Sequence, residues 1–159
     1  MAYLIRDIVS LSAQQAKYNN VDIKISLMDS LPAIWGSQTE LQQVLINLIN
    51  NAIAAMDKQG GIVEVETWRP THDRVKFSVR DNGPGIPEAN LKRIFEPFFT
   101  TKPVGKGTGL GLSICYGIIN TMGGDIVVES QVGEGTCFEV SLPINADKST
   151  TEYTKSMSS

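Results

Sequence analysis

The sequence predicts an α/β fold in which helices pack on a mostly antiparallel sheet. Three observations lead there. Apolar residues recur at helical spacing in three long segments, near residues 2–19, 38–57 and 108–122. Five shorter segments alternate apolar and polar residues, as half-buried strands do. Four of those five come as consecutive pairs, one of them joined through Pro70.

The first helix carries Leu4, Ile5, Ile8, Leu11 and Gln15 along one side. "VDIKISL" alternates and reads as a strand, ended by the turn-like "DSLP". Ser37, with Glu40 three residues on, suits the start of a helix running to about Asp57. "GGIVEVETW" and "DRVKFSVRD" read as two strands. A loop-rich stretch from Asn82 to Gly107 follows, interrupted by a short helix near Glu88 to Arg93. The next helix runs from about Thr108 to Met122 and stops at Gly123 and Gly124. "DIVVES" and "GTCFEVSLP" form the last strand pair. "NADKSTTEYTKSMSS" has almost nothing to bury and reads as a disordered tail or linker. The expected organisation is a leading helix over 1–19, one domain over 20–144 and the tail over 145–159.

Composition narrows the function. With 159 residues, the chain suits one domain with a sizeable core. A net charge of -3 does not suggest a surface for nucleic acid or anionic membrane. No apolar run approaches the length of a membrane span, and the start lacks the pattern of a signal peptide. Cys115, Cys137 and the lone His72 share no metal-ligand spacing, so free thiols in a reducing cytoplasm are expected.

Three stretches carry chemistry. In "ELQQVLINLINNAIAAM", Leu41, Val44, Leu45, Leu48, Ile49, Ala52 and Met56 make one broad apolar face. Glu40, Gln43, Asn47, Asn50 and Asn51 fall on the opposite stripe, with Asn47 and Asn51 one turn apart. A solvated face is the plain alternative, but each Asn costs about 0.6 kcal/mol of helix propensity against Ala. An amide oxygen is a hard, neutral ligand suited to Mg²⁺ already surrounded by phosphate. In "VKFSVRDNGPGIP", alternation puts Val75, Phe77, Val79 and Asp81 on one face. A carboxylate at the edge of an apolar pocket requires a donor, and the exocyclic amine of a purine would serve. Gly83 and Gly85 let the backbone approach a ligand, although "DNGPG" is equally a turn by composition. "GKGTGLGLS" is neither a P-loop nor a dinucleotide fingerprint. It is a glycine run entering a helix N-terminus, which favours an anion, and it also fits a plain flexible connection.

In this order, the three stretches resemble the ATP-binding domain of sensor histidine kinases. That superfamily is shared with DNA gyrase, the mismatch-repair ATPase and a heat-shock chaperone. The resemblance covers roughly Ile5 to Ile144. "QVLINLINNAIAAM" looks like the N-box, "DNGPGIP" the first glycine box, "IFEPFFTTK" the phenylalanine box and "GKGTGLGLS" the second glycine box. "GEGTCFEVSLP" resembles the family's final strand and its glycine turn, while "NAIAAM" and "PFFTTK" are most like nitrogen-regulator and dicarboxylate-sensor kinases.

The resemblance implies a two-layer α/β sandwich, the Bergerat ATP-binding fold. Its sheet is mixed, mostly antiparallel and of about five strands, with helices on one face. ATP and Mg²⁺ are the implied ligands. Asn51 would hold the metal, with Asn47 ordering it and sharing the catalytic role with Lys102. Asp81 would take the adenine amine, with Gly83, Gly85 and Ile86 along the base and Thr136 closing the floor. Phe95, Phe98 and Phe99 would anchor a lid that includes Thr101 and runs to Gly107, with Pro97 to Lys106 mobile before nucleotide arrives. Plain core packing is the other reading of these phenylalanines. Lys102 or Lys106 would meet the terminal phosphate, and Gly107, Thr108, Gly109, Leu110, Gly111 and Leu112 would wrap the phosphate tail.

Two departures qualify the resemblance. Ala54 stands where many relatives carry Lys or Arg, so phosphate charge must be met from the lid. His72 lacks the flanking residues and helical context of a phospho-acceptor. The implied partners are therefore a histidine-bearing dimerisation domain, from which the first helix would continue, and a response-regulator receiver domain downstream. No nucleic-acid or direct membrane contact is expected, even if the parent protein is membrane-anchored. An ATPase or protein-serine kinase of the same superfamily is one alternative function; a nucleotide sensor without turnover is another.

Overall fold

The computed structural model describes residues 2–27, 38–56, 59–96 and 111–144. Helix α1 covers Ala2–Tyr18 and is followed by β1 at Val21–Ser26. Asn20 takes a left-handed conformation (φ 61°) between them, ending the helix. Helix α2, Gln38–Met56, leads into β2, Gly61–Thr71, and β3, Arg74–Asp81. The short α3, Glu88–Leu91, stops two residues before the expected Arg93. Helix α4, Gly111–Thr121, precedes β4 at Asp125–Gln131 and β5 at Gly135–Pro143. Ser37, the expected cap of α2, and residues 108–110, the expected first turn of α4, lie outside the described residues.

The sheet has five strands in the order β1-β2-β3-β5-β4. β1 pairs parallel with β2, and the other three pairings are antiparallel. The expected mixed, mostly antiparallel sheet is therefore observed.

Helix α2 spans the core. The seven apolar residues expected to form its buried face are all buried, and Ile53 joins them. They meet the inward residues of the sheet, among them Val63, Val65, Phe77, Val79, Phe138 and Val140. α1 and α4 both pack against α2. The buried stripe of α1 is Ile5, Ile8, Ser12 and Ala16. Leu11 is 71% exposed and Gln15 is exposed, so the expected stripe is rotated. The rotation lets Ser12 Oγ donate to Asn50 Oδ1 at 3.5 Å. Asn50 accordingly belongs to the α1–α2 contact and not to the open amide stripe.

Register sets the inner face of the sheet in rows. Phe77, Val140 and Ile126 form one row across β3, β5 and β4; Val79, Phe138 and Val128 form the next. The row after that is Asp81, Thr136 and Ser130. The apolar layer ends there, and polar side chains line its rim.

α4 closes with a paired cap: Gly123 N–H donates to Asn120 O and Gly124 N–H to Ile119 O. With Gly123 at φ 77°, this is the geometry that a left-handed glycine permits. Gly135 has a different reason to be glycine. Its φ is 131°, and a Cβ there would overlap the Asp81 carbonyl oxygen. Gly135→Ala should destabilise the fold by at least about 2 kcal/mol, from backbone strain plus overlap. Urea unfolding at neutral pH would measure it, and an unchanged midpoint would refute the close approach.

Candidate nucleotide site

The site is built where two loops, 82–87 and the β4–β5 connection, meet the polar rim. Asp81 ends β3 with a side chain that is 6% exposed. Gly83 N–H donates to its Oδ1 at 2.9 Å. Burial pushes the carboxyl above its usual range, while the backbone N–H groups of Gly83 and Thr136 pull it back. These two donors leave acceptor capacity on the carboxylate for a further donor.

The "DNGPGIP" loop is held at several points. Ile62 N–H donates to Asn82 Oδ1 at 2.8 Å, and Asn82 N–H returns a bond to Ile62 O. Gly133 N–H donates to Pro84 O at 2.8 Å. Gly85 sits at φ 79°, where a Cβ would run into the Gln131 backbone. Ile86 is half-buried against the core, and its N–H donates to Ser130 Oγ at 2.7 Å. The stretch is thus more than a turn, because its glycines seat it against the β4–β5 connection.

α2 links this loop to α4. A Cβ on Gly83 would lie 3.2 Å from Met56 Cγ and 3.8 Å from Ala55 O, so the last turn of α2 leans on the loop. Asn51 lies one turn earlier and Asn47 one turn before that, giving about 12 Å of helix between Asn47 and Ala55. Asn47 Nδ2 donates to Gly111 O at 3.4 Å. That bond uses the amide N–H and, among the described residues, leaves the oxygen able to accept or to coordinate. Asn51 is half-buried and, among the described residues, its side chain has no partner. Beneath Gly111, the Cys115 Sγ–H donates to Val44 O at 3.8 Å, and burial pushes that thiol up to about 11. Such a thiol is packing, not chemistry.

Asp81, Gly83, Gly85, Ile86 and Thr136 are thus brought to one end of the sheet, and Asn51, Asn47, Gly111 and Leu112 continue the line along α2. Phe99, Thr101, Lys102, Lys106, Gly107, Thr108, Gly109 and Leu110 lie outside the described residues, as do Phe98 and the whole expected lid. Phe95 is half-buried, with its ring 5.5 Å from Tyr116 and 6.3 Å from Phe138, so it serves as packing. Sequence reasoning missed Ser130. Its signal was the alternation of Ile126, Val128 and Ser130, which puts a hydroxyl on the inward face. A cavity of about 320 Å³ lies at the same rim, lined by Asp81, Ser130 and Thr136 together with the outward-facing Glu64, Arg80, Glu129 and Cys137.

Residues 36–146 match the family of histidine kinase-, DNA gyrase B- and HSP90-like ATPases. The chain belongs to this family. It is 42% identical over 141 residues to sporulation kinase E of Bacillus subtilis (strain 168), covering 89% of this chain and 19% of that protein. It is 41% identical over 142 residues to sensor histidine kinase ZraS of Escherichia coli (strain K12), covering 89% of this chain and 30% of that protein. The nucleotide-free catalytic domain of histidine kinase ThkA superposes with a TM-score of 0.77 at 36% identity, covering 89% of this chain and 92% of that one. ThkA in complex with the response regulator TrrA gives 0.75 at 33% identity, with 93% of this chain and 41% of that one covered. The chain therefore spans well under half of these curated relatives, and as an ATPase-family domain it corresponds to the catalytic domain of histidine kinases.

The raised Asp81 carboxyl gives a pH test. A folded pKa above the unfolded one means that the fold favours the neutral acid. The stabilisation is fully present below the unfolded pKa and lost as pH rises through the folded one. Relative to Asp81→Asn, the native chain should gain stability as pH falls from neutral toward about 4. Urea unfolding of both proteins across that range checks the sign, and a gap that moves the other way would overturn the assignment.

Proposed function

We propose that this chain binds Mg-ATP and presents its γ-phosphate to a histidine on a separate helical hairpin. The observation that carries this reading is the line from Asp81 and Thr136 along α2 to Asn51, Asn47 and Gly111. One end offers a buried acceptor, and the other offers open amides beside the start of a helix.

Asp81 accepts from the exocyclic amine of adenine, with Gly83, Gly85 and Ile86 along the base and Thr136 beneath it. Asn51 holds the metal through its amide oxygen, and Asn47, already oriented by Gly111, supports it. Magnesium, when bound, would supply charge neutralisation for the phosphates. Donor chemistry supports this fit, since neutral oxygens suit a cation that arrives carrying phosphate charge. Lys102 and Lys106 are assigned to the terminal phosphate, and Phe99, Thr101 and Gly107 to Leu112 to the lid and phosphate wrap. Phosphoryl transfer depends mainly on positioning and electrostatics, which amides, N–H groups and lysines can provide.

The partners are a histidine-bearing dimerisation domain and, downstream, a receiver domain. ThkA's complex with its response regulator supports the second. Among the described residues no helix is long and apolar enough to cross a membrane, and both cysteines are free. A cytoplasmic domain of a longer protein fits both observations, with residues 1–19 leading from the hairpin and 145–159 forming a tail or linker.

Asn51→Ala should leave thermal stability without nucleotide equal or higher, because Ala is the better helix former. Titration calorimetry with and without magnesium should show the metal's contribution to ATP affinity largely gone. A variant that is less stable yet keeps normal magnesium dependence would make the amide structural.

Hydrolysis separates kinase from ATPase. A water-attacking ATPase needs a carboxylate base near the metal, and the residue one turn before Asn51 is the amide Asn47. Glu40 lies about 16 Å away along the axis. The purified chain should bind ATP, hydrolyse it very slowly and leave His72 unlabelled. A cognate hairpin should acquire acid-labile, base-stable label. Brisk hydrolysis by the chain alone, abolished by Asn51→Ala, would assign an ATPase instead.

A further inference from the structure

Ser130 lies outside the residues that the nucleotide reading assigns, yet it makes three polar contacts at the rim. Ile86 N–H donates to its Oγ at 2.7 Å. Its Oγ lies 2.9 Å from the Gly135 carbonyl oxygen and 2.8 Å from Thr136 Oγ1. A hydroxyl has one proton to give and two lone pairs to receive with. The Gly135 carbonyl can only accept, so the Ser130 proton goes there. Ile86 N–H occupies one lone pair. The contact with Thr136 must therefore use the Thr136 proton, and Ser130 is saturated.

This proton order has a consequence one strand over. Thr136 has spent its only proton on Ser130 and offers lone pairs alone. Asp81, its direct partner across β3 and β5, is also an acceptor when ionised. Both side chains are buried, at 6% and 8% exposure, so water does little to screen the pair. The rim consequently presents two adjacent acceptors and no hydroxyl donor.

We propose that Ser130 is a specificity-determining positioning residue: by taking the Thr136 proton, it makes the site select a 6-amino purine over a 6-keto purine. A primary amine carries two protons, one for each acceptor. A keto oxygen in the same place meets lone pairs on both sides. Ser130 touches no part of the base and acts through Thr136. The inference rests on the nucleotide reading above and deepens it, because Asp81 alone does not set which way the Thr136 hydroxyl turns.

The test compares binding of ATP and inosine triphosphate to the whole chain by titration calorimetry. The variants are Ser130→Ala, Thr136→Val, Thr136→Ser and the double variant Ser130→Ala/Thr136→Val. The native chain should prefer ATP. Ser130→Ala frees the Thr136 proton, so the preference should fall roughly tenfold, the scale of one neutral hydrogen bond. Thr136→Ser should keep the preference, and Thr136→Val should reduce it to the share that Asp81 alone supplies. In the Val background, Ser130→Ala should change the preference no further, since the relay is already broken.

A purely structural Ser130 would weaken both nucleotides by the same factor, leaving the preference intact, and that result overturns the inference. Additive losses in the double variant would overturn it equally. If Ser130→Ala does not fold, the Thr136 pair decides: a Val variant whose preference for ATP is undiminished sinks the relay. A native chain that binds neither nucleotide fails the underlying reading, whereas one that binds both with no preference fails this inference alone.

Discussion

Across β3, β5 and β4 the inner face of the sheet is apolar until its last row, which is polar, and the candidate site depends on where that change falls. Asp81 occupies the row immediately beyond Val79 and Phe138. One row deeper, an ionised carboxylate would sit among fully buried apolar residues at a cost of several kcal/mol. One row further out it would be hydrated and would hold a ligand no better than any surface acid. At the boundary it stays partly satisfied by Gly83 and Thr136, is pushed toward neutrality by burial, and keeps acceptor capacity in hand. The tension between those effects makes the position useful for recognition.

The glycines follow from the same boundary. A polar row is useful only if backbone from other segments can reach it, and side chains would keep that backbone away. Gly135 fits against the Asp81 carbonyl, and Gly85 against the β4–β5 connection. Both positions have positive φ, so freedom from a Cβ is used twice, for conformation and for contact. The two glycine turns are then tied together through Pro84, Ile86 and Ser130. The rim is consequently a knitted edge. The "DNGPG" motif, ambiguous by composition, acquires a purpose from what it touches.

Much of this was legible before any coordinates. Period-2 alternation in β3 put Asp81 on the buried face, and helical periodicity in α2 identified all seven expected core residues. Other features escaped because they depend on packing partners distant in sequence. The parallel pairing of β1 with β2 spans the whole of α2, and no local pattern announces it. The inward side of α1 was rotated because Leu11 looked like core, while small Ser12 and Ala16 allow closer approach to α2. Asn50 looked like a member of the amide stripe until Ser12 claimed its oxygen. Ser130 was overlooked because a serine in a strand has many roles, and only its three partners across two segments distinguish this one.

The choice of amide over carboxylate along α2 ties the helix to its function. An acidic side chain at position 51 would attract a bare cation more strongly. Facing a metal already wrapped in phosphate, it would also repel the phosphates, by about 4 kcal/mol per charge pair at 4 Å and an effective dielectric of 20. Under the proposed function, Asn51 would avoid that repulsion and still offer a coordinating oxygen. Asn47 uses the second half of its amide to grip Gly111, so one residue touches the opening of α4 while presenting an acceptor to the cleft. A Glu at that position would gain a base and lose the N–H that makes this bond. In the proposed reading, the same choice of amide would order the site for transfer and leave out the group that would turn the phosphate over to water.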